Sequence, residues 1–202
     1  MRALWVDSGN DPDFAKVVAH DIDGLYFDLF DPRITQTYLQ VLVDQGYKVG
    51  VYMASNWEEF VGKTPDEVAG IVAKRVREIA GAKKPPTSFP KVQFDLEEHN
   101  EDFVADVLEA WRALLPYQDT SWTMEGFQGG WMSDSFVKRV LACKVRVVPQ
   151  AYMGNMNSTA EDMVLRDLLR RCFPENIVTL FYDAAHLPIG WNGFAFTQGR
   201  LP

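Results

Sequence analysis

Short apolar runs alternate with amphipathic segments along the whole chain, and this alternation constrains the fold more than any single motif does. Periodicity predicts strands over residues 3–8, 24–30, 48–54, 121–125, 145–152, 177–183 and 193–197. Another strand carries Val92, Phe94 and Asp95. Helices are expected over 12–20, 34–45 (closed by Gly46), 101–115 and 134–143. Thr64-Pro65-Asp66-Glu67 opens a further helix with an N-cap, a first-turn proline and acidic residues, and that helix runs to Gly81. Ser158-Thr159-Ala160-Glu161 caps one more, which reaches Cys172, while residues 184–189 are too few for a full helix. Eight strands with intervening helices predict an α/β fold, a small single-domain (β/α)8 TIM-like barrel with shortened helices over residues 1–202. The alternative is an open flavodoxin-like sheet, which the strand count disfavours. Ser8-Gly9-Asn10 lacks the further glycines of a phosphate-cradling loop.

Composition narrows the partners. The chain is 47% hydrophobic, enough for one sizeable core. Its net charge of -8 argues against a nucleic-acid partner, which needs concentrated Lys and Arg. A neutral polymer is compatible with that charge. Met1-Arg2-Ala3-Leu4-Trp5-Val6-Asp7 enters a strand directly, without a signal-like region, and no apolar run approaches the roughly 20 residues of a membrane span. Synthesis in a cytoplasm is expected, with no membrane partner, and release only by lysis or as part of a virion. Cys143 and Cys172 read as buried thiols. His20, His99 and His186 lack paired metal-ligand spacing, so neither a metal nor a cofactor is expected.

The chemistry-bearing residues fall at strand ends, where a barrel of this class carries its active site. Asp7, Asp28, Asp95, Glu97, Glu125 and Asp183 all lie there, with Tyr52, Tyr152 and Tyr182. Trp57, Trp131 and Trp191 follow in loops or nearby. In Val92-Gln93-Phe94-Asp95-Leu96-Glu97-Glu98-His99, Asp95 and Glu97 share one strand face, roughly 6.6 Å apart along the axis. Phe94 and Leu96 then point into the opposite layer. Two adjacent carboxylates repel, which raises one pKa and favours a shared proton, as acid-catalysed glycoside cleavage requires. The blander reading is a solvated strand end that merely begins the next helix. Carboxylates with aromatic platforms suit sugar rings, with Tyr52, Tyr152, Trp191, Glu125 and Asp28 as candidate substrate-binding residues. Those aromatics could equally fill the top layer of the barrel core. Arg33, Lys48 and Arg146 are the bases that could neutralise some of the acids.

Asp7-Ser8, Asp95-Leu96-Glu97 and the closing Phe194-Ala195-Phe196-Thr197-Gln198-Gly199 together resemble glycoside hydrolase family 25. That family consists of lysozyme-type muramidases, common in bacteriophages, built on a (β/α)-barrel. The resemblance implies Glu97 as general acid, Asp95 as its assistant at the anomeric centre or acetamido group, and Asp7 as a third carboxylate. The family's first-strand motif is Asp-x-Ser followed by Gln, whereas here Ser8 follows Asp7 directly and Asn10 is the nearby amide. The chitinase-like family also carries Asp-x-Glu on strand four, but its longer aspartate run is replaced by Val92, Gln93 and Phe94. The implied function is hydrolysis of a β-linked N-acetyl-amino-sugar polymer such as peptidoglycan, with Asp183 as reserve nucleophile. The rival expectation is an inactive barrel serving as a structural or receptor-binding part of a phage virion, in contact with other virion proteins.

Overall fold

The computed structural model describes residues 1–54, 57–81, 89–96, 100–124, 132–150, 169, 172–196 and 201. Its strands are β1 (Arg2–Val6), β2 (Gly24–Asp28), β3 (Lys48–Ala54), β4 (Lys91–Asp95), β5 (Thr120–Met124), β6 (Arg146–Pro149), β7 (Phe181–Asp183) and β8 (Gly193–Phe196). All pair in parallel, in the order β6-β5-β4-β3-β2-β1-β8-β7. Parallel bridges from Val147 to Val178 and from Gln150 to Phe181 join the two ends. The sheet is thus a nearly closed (β/α)8 barrel, as the strand count predicted.

Among the described residues, five α-helices cover it: α1 (Phe14–Ala19), α2 (Gln36–Asp44), α3 (Pro65–Ala80), α4 (Glu101–Leu114) and α5 (Asp134–Ala142). Each start satisfies backbone N–H groups that would otherwise be orphaned. Thr64 and Glu67 form a reciprocal capping box on α3, and Asn100 accepts from the amides of Asp102 and Phe103 on α4. None of the described helices is long and apolar enough to cross a membrane. The helix predicted to start at Ser158 lies outside the described residues, apart from the buried Leu169.

Strand alternation sorts side chains into two apolar layers. Leu4, Val6, Leu25, Phe27, Val51, Phe94 and Leu96 face the helices, with Phe94 edge-on to Trp111 at 5.0 Å. Ala3, Trp5, Tyr26, Tyr52, Val148, Phe181 and Phe194 fill the barrel interior. Two glycines make room for that filling. A Cβ at Gly50 would run into the Tyr26 ring, and one at Gly193, where φ is +143°, would strike the Leu180 carbonyl.

Several expected boundaries move; the second strand, for one, ends at Asp28 rather than 30. The first strand stops at Val6 because Asn10 donates to the Asp7 carbonyl and turns the chain. The seventh starts at Phe181 rather than 177, since residues 175–177 form a 3-10 turn closed by the Ile177 amide on the Pro174 carbonyl. Cys143 is buried and Cys172 half-buried, neither in a disulfide; burial pushes the Cys143 thiol up, so it acts as packing rather than as a nucleophile.

Candidate active site at the barrel mouth

Parallel strands put every C-terminal end on one side, so the sheet carries the predicted acids that lie among the described residues to one mouth. Asp28 pairs in register with Tyr52, Asp95 with Ala54 and Thr123, and Asp183 with Phe196. Asp7 directly follows Val6, the last residue of β1. Asp95 is buried at 8% exposure, while Phe94 and Leu96 sit in the outer layer, as the alternation predicted. Glu97, two residues beyond Asp95, lies outside the described residues, and so do Glu125 and Tyr152.

Tyr52 gathers these acids. Its ring stacks on Trp5 at 4.2 Å with 3° between planes, and its hydroxyl donates to the Val6 carbonyl at 3.3 Å. Burial, and then the negative charges of Asp28, Asp7 and Asp95, push its ionisation far above the usual tyrosine range. The phenol therefore stays a proton donor amid carboxylates. Beneath it, the Trp5 indole N–H donates to Gln93 Oε1 at 2.9 Å, and the Gln93 amide donates to Thr123 Oγ1. Both ends of the buried Gln93 are thereby satisfied in a place where an unpaired amide would be costly.

Asp28 accepts from the Phe30 amide at 2.8 Å and from Ser8, yet partial burial holds its carboxyl above the ordinary range. A carboxyl raised on folding binds extra protons in the native state, so its contribution to stability is full below the unfolded pKa and shrinks as pH rises through the folded one. Asp28→Asn should accordingly raise the melting temperature at neutral pH, with the gain fading below pH of about 4, near the unperturbed aspartate value. Thermal unfolding from pH 3 to 8 checks this; a gain that grows as pH falls would contradict it.

Asp183, half-buried, caps a 3-10 turn by accepting from the Ala185 amide at 2.9 Å. The aromatics depart from expectation. Tyr52, at 8% exposure, is the floor of the mouth and not an open platform. Trp191 lies at the opposite end of the barrel, because it precedes β8. Arg2, which opens β1, donates to the Trp191 carbonyl at 3.1 Å and sets its guanidinium 5.6 Å from the ring. Trp57 remains near the mouth, packed on Tyr52 and Phe30 at 5.9 Å each. Trp131 lies outside the described residues.

Phe196 is an aromatic that the sequence offered only within its closing motif, not as a sugar-facing residue. It ends β8 level with Asp183, meets Trp5 edge-on at 5.8 Å, and keeps 37% of its surface exposed. Its signal was the alternation with the inward-facing Phe194. The anticipated neutralising bases also differ. Lys48 pairs with Asp23 and Arg146 with Asp119, both at the N-terminal end of the barrel, and Arg33 pairs with Asp31 at 2.8 Å. A cavity of about 510 Å³ bounded by Asp119, Lys144, Arg146 and Asn176 also lies at that N-terminal end. Among the described residues, no three His, Cys, Asp or Glu side chains come close enough together to hold a metal ion.

Solved barrels of other proteins share this fold. Catalytic-site mutants of active domain 2 of a chitinase from Pyrococcus furiosus superpose with a TM-score of 0.66 at 13% identity, covering 96% of this chain and 82% of theirs. A putative alpha-L-fucosidase from Bacteroides thetaiotaomicron gives 0.55 at 11% identity, over 96% of this chain and 84% of that one. A D-psicose 3-epimerase from Clostridium cellulolyticum gives 0.52 at 12% identity, over 96% and 83%. At these identities the likeness establishes the architecture alone, a (β/α)8 barrel. The sequence matches no protein-family model and no curated protein.

Proposed function

We propose that this barrel hydrolyses a β-linked N-acetyl-amino-sugar polymer, with peptidoglycan as the leading substrate. One observation carries the reading: strand register brings Asp28 and Asp95, with Asp7 directly after β1, to the C-terminal mouth around the buried Tyr52. Glu97, two residues beyond Asp95 in the sequence, protonates the leaving oxygen. Asp95 stabilises the positive charge that develops at the anomeric carbon, or orients the acetamido oxygen to attack it. A direct glycosyl-enzyme route needs carboxyls about 5–5.5 Å apart, and attack by water needs about 6.5–9.5 Å. Asp183 is the carboxylate available for the former. Phe196 offers an apolar face to the C–H side of a pyranose. Likeness to a chitinase and a fucosidase supports a carbohydrate substrate of this general kind.

A second reading keeps the barrel without its chemistry, as a structural or receptor-binding component of a phage virion. The burial of Tyr52 and the direct Asp7-Ser8 junction favour it. N-acetylglucosamine oligomers separate the two, with tryptophan fluorescence reporting binding and reducing ends reporting cleavage. The hydrolase reading expects both signals. Binding without cleavage favours receptor recognition, and neither signal favours a structural component.

A further inference from the structure

We infer that Asp31 is a positioning residue for the mouth, a charged latch that fixes the loop carrying Asp7. The inference rests on the hydrolase reading for its effect on catalysis. Its geometry stands independently.

Asp31 lies beyond β2, not on it, and is only 5% exposed. Its carboxylate accepts from the Arg33 amide at 2.9 Å and from the Arg33 guanidinium at 2.8 Å and 3.1 Å. Those bonds stay within its own turn. The remaining ones leave it. Gly9, in the loop after β1, donates its amide to Asp31 Oδ2 at 3.0 Å, and the same Arg33 donates to the Asn10 carbonyl at 3.0 Å. Gly9 takes φ of +81° to present that amide. The Asn10 amide closes back on the Asp7 carbonyl at 3.1 Å, and Ser8 reaches Asp28.

The latch is itself anchored. Arg75 of α3 donates to the carbonyls of Leu29 at 3.0 Å, Ile34 at 3.2 Å and Asp31 at 3.4 Å. A continuous set of bonds thus runs from a helix, through Asp31, to the backbone on either side of Ser8. A neutral residue could close the 29–34 turn, which already has the Ile34 amide on the Asp31 carbonyl. The buried charge is needed only for the neighbouring loop. A buried carboxylate is costly unless paired and fully hydrogen-bonded, and here its pairing is what ties Asp7 and Asp28 into one rigid rim. The Arg33 guanidinium accordingly holds the Asp31 carboxyl well below the usual range.

Arg33→Lys is the discriminating variant. It keeps the charge but not the planar fork that serves Asp31 and the Asn10 carbonyl together. Arg33 is 41% exposed on its side chain, so the variant folds. Asp31→Asn is the second, keeping an acceptor for Gly9 while freeing Arg33. In both, Gly9 amide exchange should accelerate by about tenfold as the loop opens locally. On N-acetylglucosamine oligomers, kcat should fall about 10- to 100-fold with little change in KM, the signature of a misplaced reacting group. Unchanged Gly9 exchange overturns the latch. Faster exchange with unmoved kcat reduces Asp31 to a purely structural role. Should wild-type protein neither bind nor cleave the oligomers, the hydrolase reading fails, and the Gly9 exchange still decides the latch.

Discussion

Glu97→Gln should lower kcat on N-acetyl-amino-sugar oligomers by about 10²- to 10⁴-fold, the usual contribution of a positioned general acid. Glutamine matches glutamate in size but has no acidic proton to give the leaving oxygen. Binding should survive, so KM should change far less than kcat. The pH profile offers a sharper check. A general acid must be protonated, so activity falls as pH rises through its pKa. The charge of Asp95 two residues away should hold that limb above the roughly 4.3 of an unperturbed glutamate. In Glu97→Gln the residual rate should lose the limb. Wild-type activity in this variant would remove Glu97 from the mechanism and leave Asp95 and Asp183 as the acids to test.

The largest effect on stability is expected at Trp5, where core and site meet. Trp5 is 4% exposed, stacks on Tyr52, lies 4.5 Å from Phe181 and supplies the indole N–H to Gln93. Trp5→Ala should destabilise the barrel by about 3–5 kcal/mol through the cavity it leaves. In a chain of this length that corresponds to roughly 6–20 °C in melting temperature. Trp5→Phe retains the stack and loses the bond to Gln93, so it should cost about 1–3 kcal/mol, the penalty for one unsatisfied buried polar group. Thermal unfolding measured on both variants orders them. An alanine variant as stable as the phenylalanine one would mean that the barrel interior is not packed around Trp5.

Much of this architecture was legible because strands and helices announce themselves by period. The run from Lys48 to Ala54 and the capped helix from Pro65 to Ala80 were bounded within a residue by alternation and by the Thr64 cap. The inward face of strand four was equally readable, since Phe94 and Leu96 could only be apolar partners of the helices. Positions fixed by long-range contacts were not. Trp191 looked like a rim residue from its proximity to Asp183, yet one turn carries the chain back to the other end of the barrel before β8 begins. Tyr52 was read as a platform, but only its contact with Trp5, 47 positions away, makes it the floor. Asp31 gave no signal at all, because its partners Gly9 and Asn10 come from a different loop. Charge content alone did not reveal that Lys48 and Arg146 pair at the far end with Asp23 and Asp119.

The central claim is that the mouth carboxylates break glycosidic bonds. Purified protein incubated with peptidoglycan, and separately with N-acetylglucosamine oligomers, tests it most directly when new reducing ends are measured beside Asp95→Asn. The account predicts reducing ends from the wild-type chain on at least one of these substrates, and a loss of at least about 100-fold in Asp95→Asn, whose amide cannot stabilise the developing positive charge. Intact substrates after incubation with the wild type, or equal release by both proteins, would contradict it.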